Sequence, residues 1–185
     1  MILICTVPWN AERYQWAQEL RDYLPEARLI EDREHNGYET FQRALEAQGS
    51  EDAWHLQDDA VLTSRWLQKA RWERATHPDT VIQGFSRRCD DLTVGSRWMN
   101  ARGFNYGICW FLPGRLAPGL LAFSRTWPRR PPVEKCSLDT MTADYLATVR
   151  ERYWLVVPSL VQHREGPSMV DGRRARARQS KTFRP

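Results

Sequence analysis

The stretch Trp54-His55-Leu56-Gln57-Asp58-Asp59-Ala60-Val61-Leu62 decides the fold, because a short apolar run ends there in two adjacent carboxylates. The run reads as a strand that delivers acids to its C-terminal edge. In an open α/β sheet, ligands lie in the crevice outside the carboxyl ends of the strands, so acids projected there are placed to hold a cation and, through it, a phosphate. The competing local reading makes Asp58 or Asp59 the N-cap of a helix starting near Thr63.

Upstream, residues 1–7 read as a buried strand, and Asn10 opens an amphipathic helix with Tyr14, Ala17, Leu20 and Leu24 at helical spacing until Pro25 stops it. A second strand over 27–30 ends at Glu31-Asp32, and a second helix runs through Phe41, Ala44 and Leu45 to Gly49. After the acid pair come a helix over about 64–75 and a strand over 80–85. This βαβαβαβ order predicts one mostly parallel sheet with helices on both faces. From 86 to 105 the apolar pattern fails among Arg87, Arg88, Asp90, Asp91, Arg97 and Arg102, which predicts a mobile loop over the site. An apolar run follows from Tyr106 to Leu112. The Pro-rich stretch from Trp127 to Pro132 predicts an exposed turn, and a helix is expected over about 138–152.

Downstream, Tyr153-Trp154-Leu155-Val156-Val157-Pro158-Ser159-Leu160-Val161-Gln162-His163 reads as another strand, ending in a histidine. Carboxylate oxygens plus one imidazole suit Mn²⁺, and Mg²⁺ takes the same oxygens while keeping several waters. A histidine taken by itself is more often structural. The set it would complete is Asp58, Asp59 and His163.

The strand ending in Asp58-Asp59-Ala60, followed far downstream by Pro158-Ser159-Leu160-Val161-Gln162-His163 and Gly166-Pro167-Ser168-Met169-Val170, resembles nucleotide-sugar-dependent glycosyltransferases of the A-type fold. The likeness is to small phage and bacterial members and, more distantly, to lipooligosaccharide-type transferases. It implies a single Rossmann-like α/β nucleotide-diphospho-sugar transferase domain over 1–170. It further implies a metal, Mn²⁺ or Mg²⁺, held by Asp59 and His163 against the diphosphate of a nucleotide-sugar donor. Gln57 departs from the pattern, since many relatives carry there an acid that contacts the nucleotide ribose.

The chain has 185 residues, enough for one domain with a genuine core. No apolar stretch approaches the roughly 20 residues of a membrane span, and the N-terminus lacks the basic start of a signal peptide, so a cytoplasmic location is expected. Four scattered cysteines, Cys5, Cys89, Cys109 and Cys136, predict free thiols. The net charge of +4 is uneven. From Arg164 to Pro185 seven basic residues face Glu165 and Asp171, so the rest of the chain is near neutral. Residues 171–185 are therefore expected to form a basic tail, with Arg173, Arg174, Arg176, Arg178 and Lys181 either on the donor diphosphate or on a polyanionic acceptor such as DNA. A solvated, disordered tail is the alternative.

Thr6 and Pro8, between the first strand and its helix, and Asp32, at the end of the second strand, are candidate donor contacts, as are Asp58, Ser168, Arg174 and Arg176. Arg13 reads as a surface helix position. An inverting transferase also needs a base for the acceptor hydroxyl. Asp139, at a predicted helix start, is the candidate, with helix capping as its structural alternative and Asp144 as the fallback. The expected activity is metal-dependent transfer of a sugar to a hydroxyl acceptor, foremost a hydroxymethylated base in phage DNA and next a cell-surface glycan. A non-catalytic nucleic-acid-binding module is the reading from another class.

Overall fold

A computed structural model describes residues 1–105, 107–128, 138–165 and 179–185. Strands β1 (Ile2–Thr6), β2 (Ala27–Glu31) and β3 (Ala53–Gln57) alternate with helices α1 (Ala11–Tyr23) and α2 (Gly37–Gln48), as the apolar periodicity predicts. Asn10 opens α1 by accepting the Arg13 amide hydrogen at 3.1 Å, and Asn36 opens α2 by accepting that of Glu39 at 3.3 Å. Gly49 closes α2 with φ +59°, a conformation that favours glycine.

The acid pair is a turn between two strands. β3 stops at Gln57, and β4 (Ala60–Leu62) resumes in a different sheet before α3 (Trp66–Thr76) begins. The residue before α3 is Arg65, without a side-chain cap, so neither Asp58 nor Asp59 caps that helix. The chain continues through β5 (Val81–Gln83), the short α4 (Asp91–Val94), β6 (Arg97–Asn100), β7 (Cys109–Leu112), α5 (Ala117–Thr126), α6 (Leu138–Thr148), β8 (Arg152–Leu155) and β9 (Val161–His163).

Seven strands form the central sheet in the order β2-β1-β3-β7-β5-β8-β6. The pairs β1/β2, β1/β3 and β5/β8 are parallel, whereas β7 and β6 run antiparallel to their neighbours. The sheet is thus mixed: the expected mostly parallel character holds for β1, β2, β3, β5 and β8, which run one way, while β7 and β6 run the other. One core contains Ile4, Leu56, Phe111 and Ile82 with Leu20 and Trp66 of α1 and α3. A second contains Trp110, Leu112, Tyr153 and Leu155 with Phe41, Leu120, Met141 and Leu146 of α2, α5 and α6. Because successive strand residues point to opposite faces, these two sets define the two helix-covered faces.

Three further expectations are corrected. The run 153–163 is two strands rather than one: β8 lies in the central sheet, β9 pairs with β4, and Pro158 between them cannot donate to a ladder. The charged segment 86–105 is built structure. Arg97 pairs with Asp91 at 3.1 Å, Asp91 is buried, and β6 closes the sheet edge against β8. Arg88 donates to the Tyr153 hydroxyl at 2.9 Å, so tertiary contacts that the sequence pattern does not reveal hold the segment in place. Lastly, the end of the expected tail, Gln179–Pro185, docks on the body, against the solvated alternative for those residues. Ser180 and Thr182 are buried, the Ser180 and Ser159 hydroxyls lie 2.8 Å apart, Thr182 Oγ1 accepts the Ser159 amide hydrogen at 3.1 Å, and Thr63 donates to the Arg184 carbonyl at 2.6 Å. The Trp127–Pro132 turn lies partly outside the described residues.

Truncation after Gln179 is therefore expected to remove five hydrogen bonds, two each on Ser159 and Gln162 and one on Thr63, and to lower stability by about 5 kcal/mol, at roughly 1 kcal/mol per hydrogen bond. A urea midpoint equal to that of the full chain would contradict this docking.

Candidate functional site

The sheet order creates the site. From β1 the chain crosses to β2 on one side, and from β2 it returns past β1 to β3 on the other, so the connections diverge between β1 and β3. Such a switch point leaves a crevice outside the carboxyl ends of the strands. A cavity of about 390 Å³ opens there. Its walls include Cys5, Thr6 and Val7 from the end of β1, His55, Gln57 and Asp58 from β3, Asp32 from the end of β2, and Trp110 from β7. Phe41 from α2 and Asp139 and Thr142 from α6 complete the lining. At the mouth the Trp9 and His35 rings stack, 4.2 Å apart and 15° from parallel.

A buried charge cluster occupies the β3–β4 turn. Arg13 reaches back from the first turn of α1, its Nε 2.8 Å from Asp58 Oδ1 and its Nη1 3.6 Å from Asp59 Oδ2. Its side chain is 13% exposed and each carboxylate 2%, so the surface position expected for Arg13 is overturned. The helix start places Arg13 over the turn, a relation set by tertiary packing. Asp59 Oδ2 also accepts from His163 Nδ1 at 3.1 Å, since β4 and β9 pair Ala60 with His163. His163 packs edge-on against Phe85. The Val7 amide donates to Asp58 Oδ2 at 3.3 Å, tying the ends of β1 and β3 together.

Burial lifts the Asp58 carboxyl above its ordinary value, and Asp59 adds to the lift, while Arg13 pulls against both. For Arg13, burial lowers the guanidinium, but Asp59 and Asp58 together raise it. Desolvation, reinforced by Asp58, pushes the Cys5 thiol up to about 12, so Cys5 is no nucleophile.

Of the predicted metal set, Asp59 and His163 are in contact, whereas Asp58 turns to Arg13 and the Val7 amide and is the member of the three that lines the cavity. Among the described residues, however, no three His, Cys, Asp or Glu side chains are arranged to hold a metal, and the cation in contact with both carboxylates is the Arg13 guanidinium. The donor chemistry fits Mn²⁺ or Mg²⁺, and one cationic group already spans the pair.

Of the other predicted residues, Thr6 and Asp32 line the cavity, but Pro8 does not. Asp32 is buried rather than solvated, and its Oδ1 accepts the Asn36 amide hydrogen at 2.8 Å. Asp139 faces the cavity, where its Oδ1 accepts the Gly107 amide hydrogen at 2.9 Å. A Cβ on Gly107 would stand 2.7 Å from that oxygen, so only glycine lets the carboxylate sit there unmoved. Asp144 is exposed, accepts from Trp127 Nε1 at 3.0 Å and does not line the cavity, which removes it as an alternative. Ser168, Arg173, Arg174, Arg176 and Arg178 lie outside the described residues. Sequence reasoning missed His35, Thr40, Phe41, His55, Phe104, Trp110 and Thr142. His55 alone carried a local signal, two positions before the edge of the decisive strand.

No protein-family model matches the chain, and no curated protein is similar to it. Among solved structures it is similar to A197 from STIV, with a TM-score of 0.53 and 13% sequence identity over 87% of this chain and 83% of that one. At that identity the likeness shows the α/β fold alone.

The sign of the Asp58 shift gives a pH test. A carboxyl raised by folding binds its proton more tightly in the folded chain, so its contribution to stability is greatest below the ordinary value of 3.8 and falls as pH rises toward the folded value. Asp58→Asn is expected to flatten the stability profile between 3.8 and neutrality, measured by thermal unfolding across that range. A profile as steep as the wild type's would place the titration elsewhere.

Proposed function

We propose that the protein is a nucleotide-sugar-dependent glycosyltransferase that moves a sugar from a nucleoside-diphosphate donor to a hydroxyl acceptor. The observation that carries this reading is one cavity at the sheet's switch point whose lining holds both the Arg13–Asp58 pair and a second carboxylate, Asp139. A phosphate-bearing ligand needs cationic charge at a strand edge, and transfer to a hydroxyl needs a base at a distance from that charge.

In this reading Arg13 presents its guanidinium to the donor diphosphate, for which its planar fork is suited. Asp58, Asp59 and His163 are the residues that would hold Mn²⁺ or Mg²⁺, whose chemistry when bound is Lewis-acid neutralisation of the leaving diphosphate. The stacked Trp9 and His35 rings at the mouth offer a flat face to a base or a sugar. Asp32 and Thr6 complete the wall on that side. Phe41, Phe104 and Trp110 form an apolar lining that limits water around the reacting carbon, which protects the donor from hydrolysis.

Asp139 takes the proton of the acceptor hydroxyl. The Gly107 amide hydrogen holds one of its oxygens in place, leaving the carboxylate oriented before the acceptor arrives. The acceptor we propose is a hydroxylated base in DNA, a choice that rests on the basic stretch 173–181, most of which lies outside the described residues.

The test is a panel of nucleotide sugars with Mn²⁺, read by thermal stabilisation and by release of free sugar; a responder stabilises the folded state in proportion to its affinity. Asp139→Asn is expected to lower transfer by about 10² to 10⁴ with donor affinity retained. Gly107→Ala should act in the same direction on rate, since the methyl displaces the Asp139 oxygen without touching the acid cluster. Parallel loss of donor affinity and rate in Asp139→Asn would assign that residue to donor binding, and no response to any nucleotide sugar would overturn the reading.

A further inference from the structure

His55 lies on β3 directly opposite Trp110 of β7, with the two rings stacked 4.8 Å apart, and it forms part of the cavity floor. Its hydrogen-bonding state follows from a neighbour. The Gln48 side-chain nitrogen donates to the Glu51 carbonyl at 2.8 Å and to the Leu112 carbonyl at 2.9 Å. Both of its hydrogens are committed to carbonyl oxygens, so the orientation of the amide is fixed, and Gln48 Oε1 is the atom that meets His55 Nε2 at 2.8 Å. An amide oxygen only accepts. Nε2 therefore carries the ring hydrogen, and Nδ1 carries a bare lone pair.

Nδ1 is buried and has no hydrogen-bond partner. The residue as a whole is 3% exposed, and desolvation pushes its ring down to about 3, so it is neutral at physiological pH. Buried acceptors in native proteins are nearly always satisfied, and one left bare on the floor of a cavity is poised for a ligand's hydrogen. The surroundings restrict what can bring it. Phe41 and Trp110 flank the ring, with centroids 6.3 and 4.8 Å away, and neither ring face competes for the lone pair.

We propose that His55 is a specificity-determining residue of this cavity, its Nδ1 accepting a hydrogen bond from an N–H or O–H group of the bound nucleotide sugar. The inference rests on the nucleotide-sugar reading above and adds the chemistry that the floor selects. A ligand that places a hydrogen donor there is accepted. One that places a carbonyl oxygen there meets the lone pair and is rejected, because a neutral imidazole locked in this tautomer cannot donate from Nδ1. The donor hydrogen belongs either to the nucleoside or to a hydroxyl of the attached hexose, and two ligand sets distinguish them.

Calorimetric titration of the full chain with the diphosphates of uridine, cytidine, adenosine, guanosine and thymidine, and with their hexose conjugates, is compared with His55→Phe, which keeps a flat ring and removes the acceptor. An affinity loss on the order of tenfold or more is expected in the variant. Loss for the diphosphate and its conjugate alike identifies the nucleoside, base or ribose, as donor, and loss for the conjugate alone identifies a hydroxyl of the attached hexose. Wild-type affinities in a folded His55→Phe overturn the proposal while leaving nucleotide binding intact. If wild type binds no member of either set, the nucleotide-sugar reading falls and this contact with it. Should His55→Phe fail to fold, side-chain ¹⁵N spectra of the wild type decide. An unprotonated Nδ1 that shifts on ligand addition supports the contact, and a protonated Nδ1 in the free protein, or one unmoved by a bound ligand, overturns it.

Discussion

The structure depends on the contact between one arginine and two buried carboxylates. Asp58 and Asp59 stand at the turn where β3 leaves the central sheet and β4 enters the small one, each almost fully buried. Two adjacent carboxylates cannot be held there without a cation, because desolvation and mutual repulsion both favour their neutral forms. Arg13 supplies the charge from the first turn of α1, and His163 supplies a second partner from β9. Helix, turn and small sheet are joined through this cluster, and the cavity opens beside it. A buried ion pair of this kind is weak evidence for stability, because removing the charges from water costs much of what their attraction returns. Its place in the lining of the cavity is what the proposed function draws on.

The cavity has a chemical gradient across the sheet. On the β2 side are Asp32, whose oxygen is held by a backbone amide, and the exposed Trp9–His35 stack. In the middle, Arg13 and the acids present charge. Toward β7 the lining turns aromatic and ends at Asp139, fixed by Gly107. Under the proposed function a nucleoside-diphosphate sugar would lay its base, diphosphate and sugar along these surfaces in that order, with a divalent ion offsetting the second carboxylate of the acid pair. A197 from STIV shows that this α/β arrangement recurs, and it says nothing further about chemistry.

The first half of the fold was legible because each element there announces itself. Apolar periodicity, Asn caps and a terminal Gly or Pro mark α1 and α2, and short apolar runs mark β1 to β3. The acid pair and His163 were legible as strand-end side chains even though one of the two strands was misdrawn. The remainder was hidden for physical reasons. Pro158 divides a run that reads as a single strand, α5 carries Pro118 and Gly119 in its first turn, and segment 86–105 is held by tertiary contacts such as the Arg97–Asp91 pair. Arg13 looked solvated because nothing in a helical repeat tells which polar face another element will cover. The lining from Phe41, His55 and Trp110 comes from α2, β3 and β7, which only the sheet order brings together.

The central claim is that the switch-point cavity holds a nucleoside-diphosphate sugar between the Arg13 cluster and Asp139. A backbone amide NMR map recorded during titration with a responding nucleotide sugar tests it most directly. The account predicts that the largest shifts fall on Val7, Arg13, His55, Asp58 and Gly107, the amides around the cavity from one wall to the other. Shifts confined to another surface, such as the β6–β8 edge near Trp98 and Trp154, would contradict it.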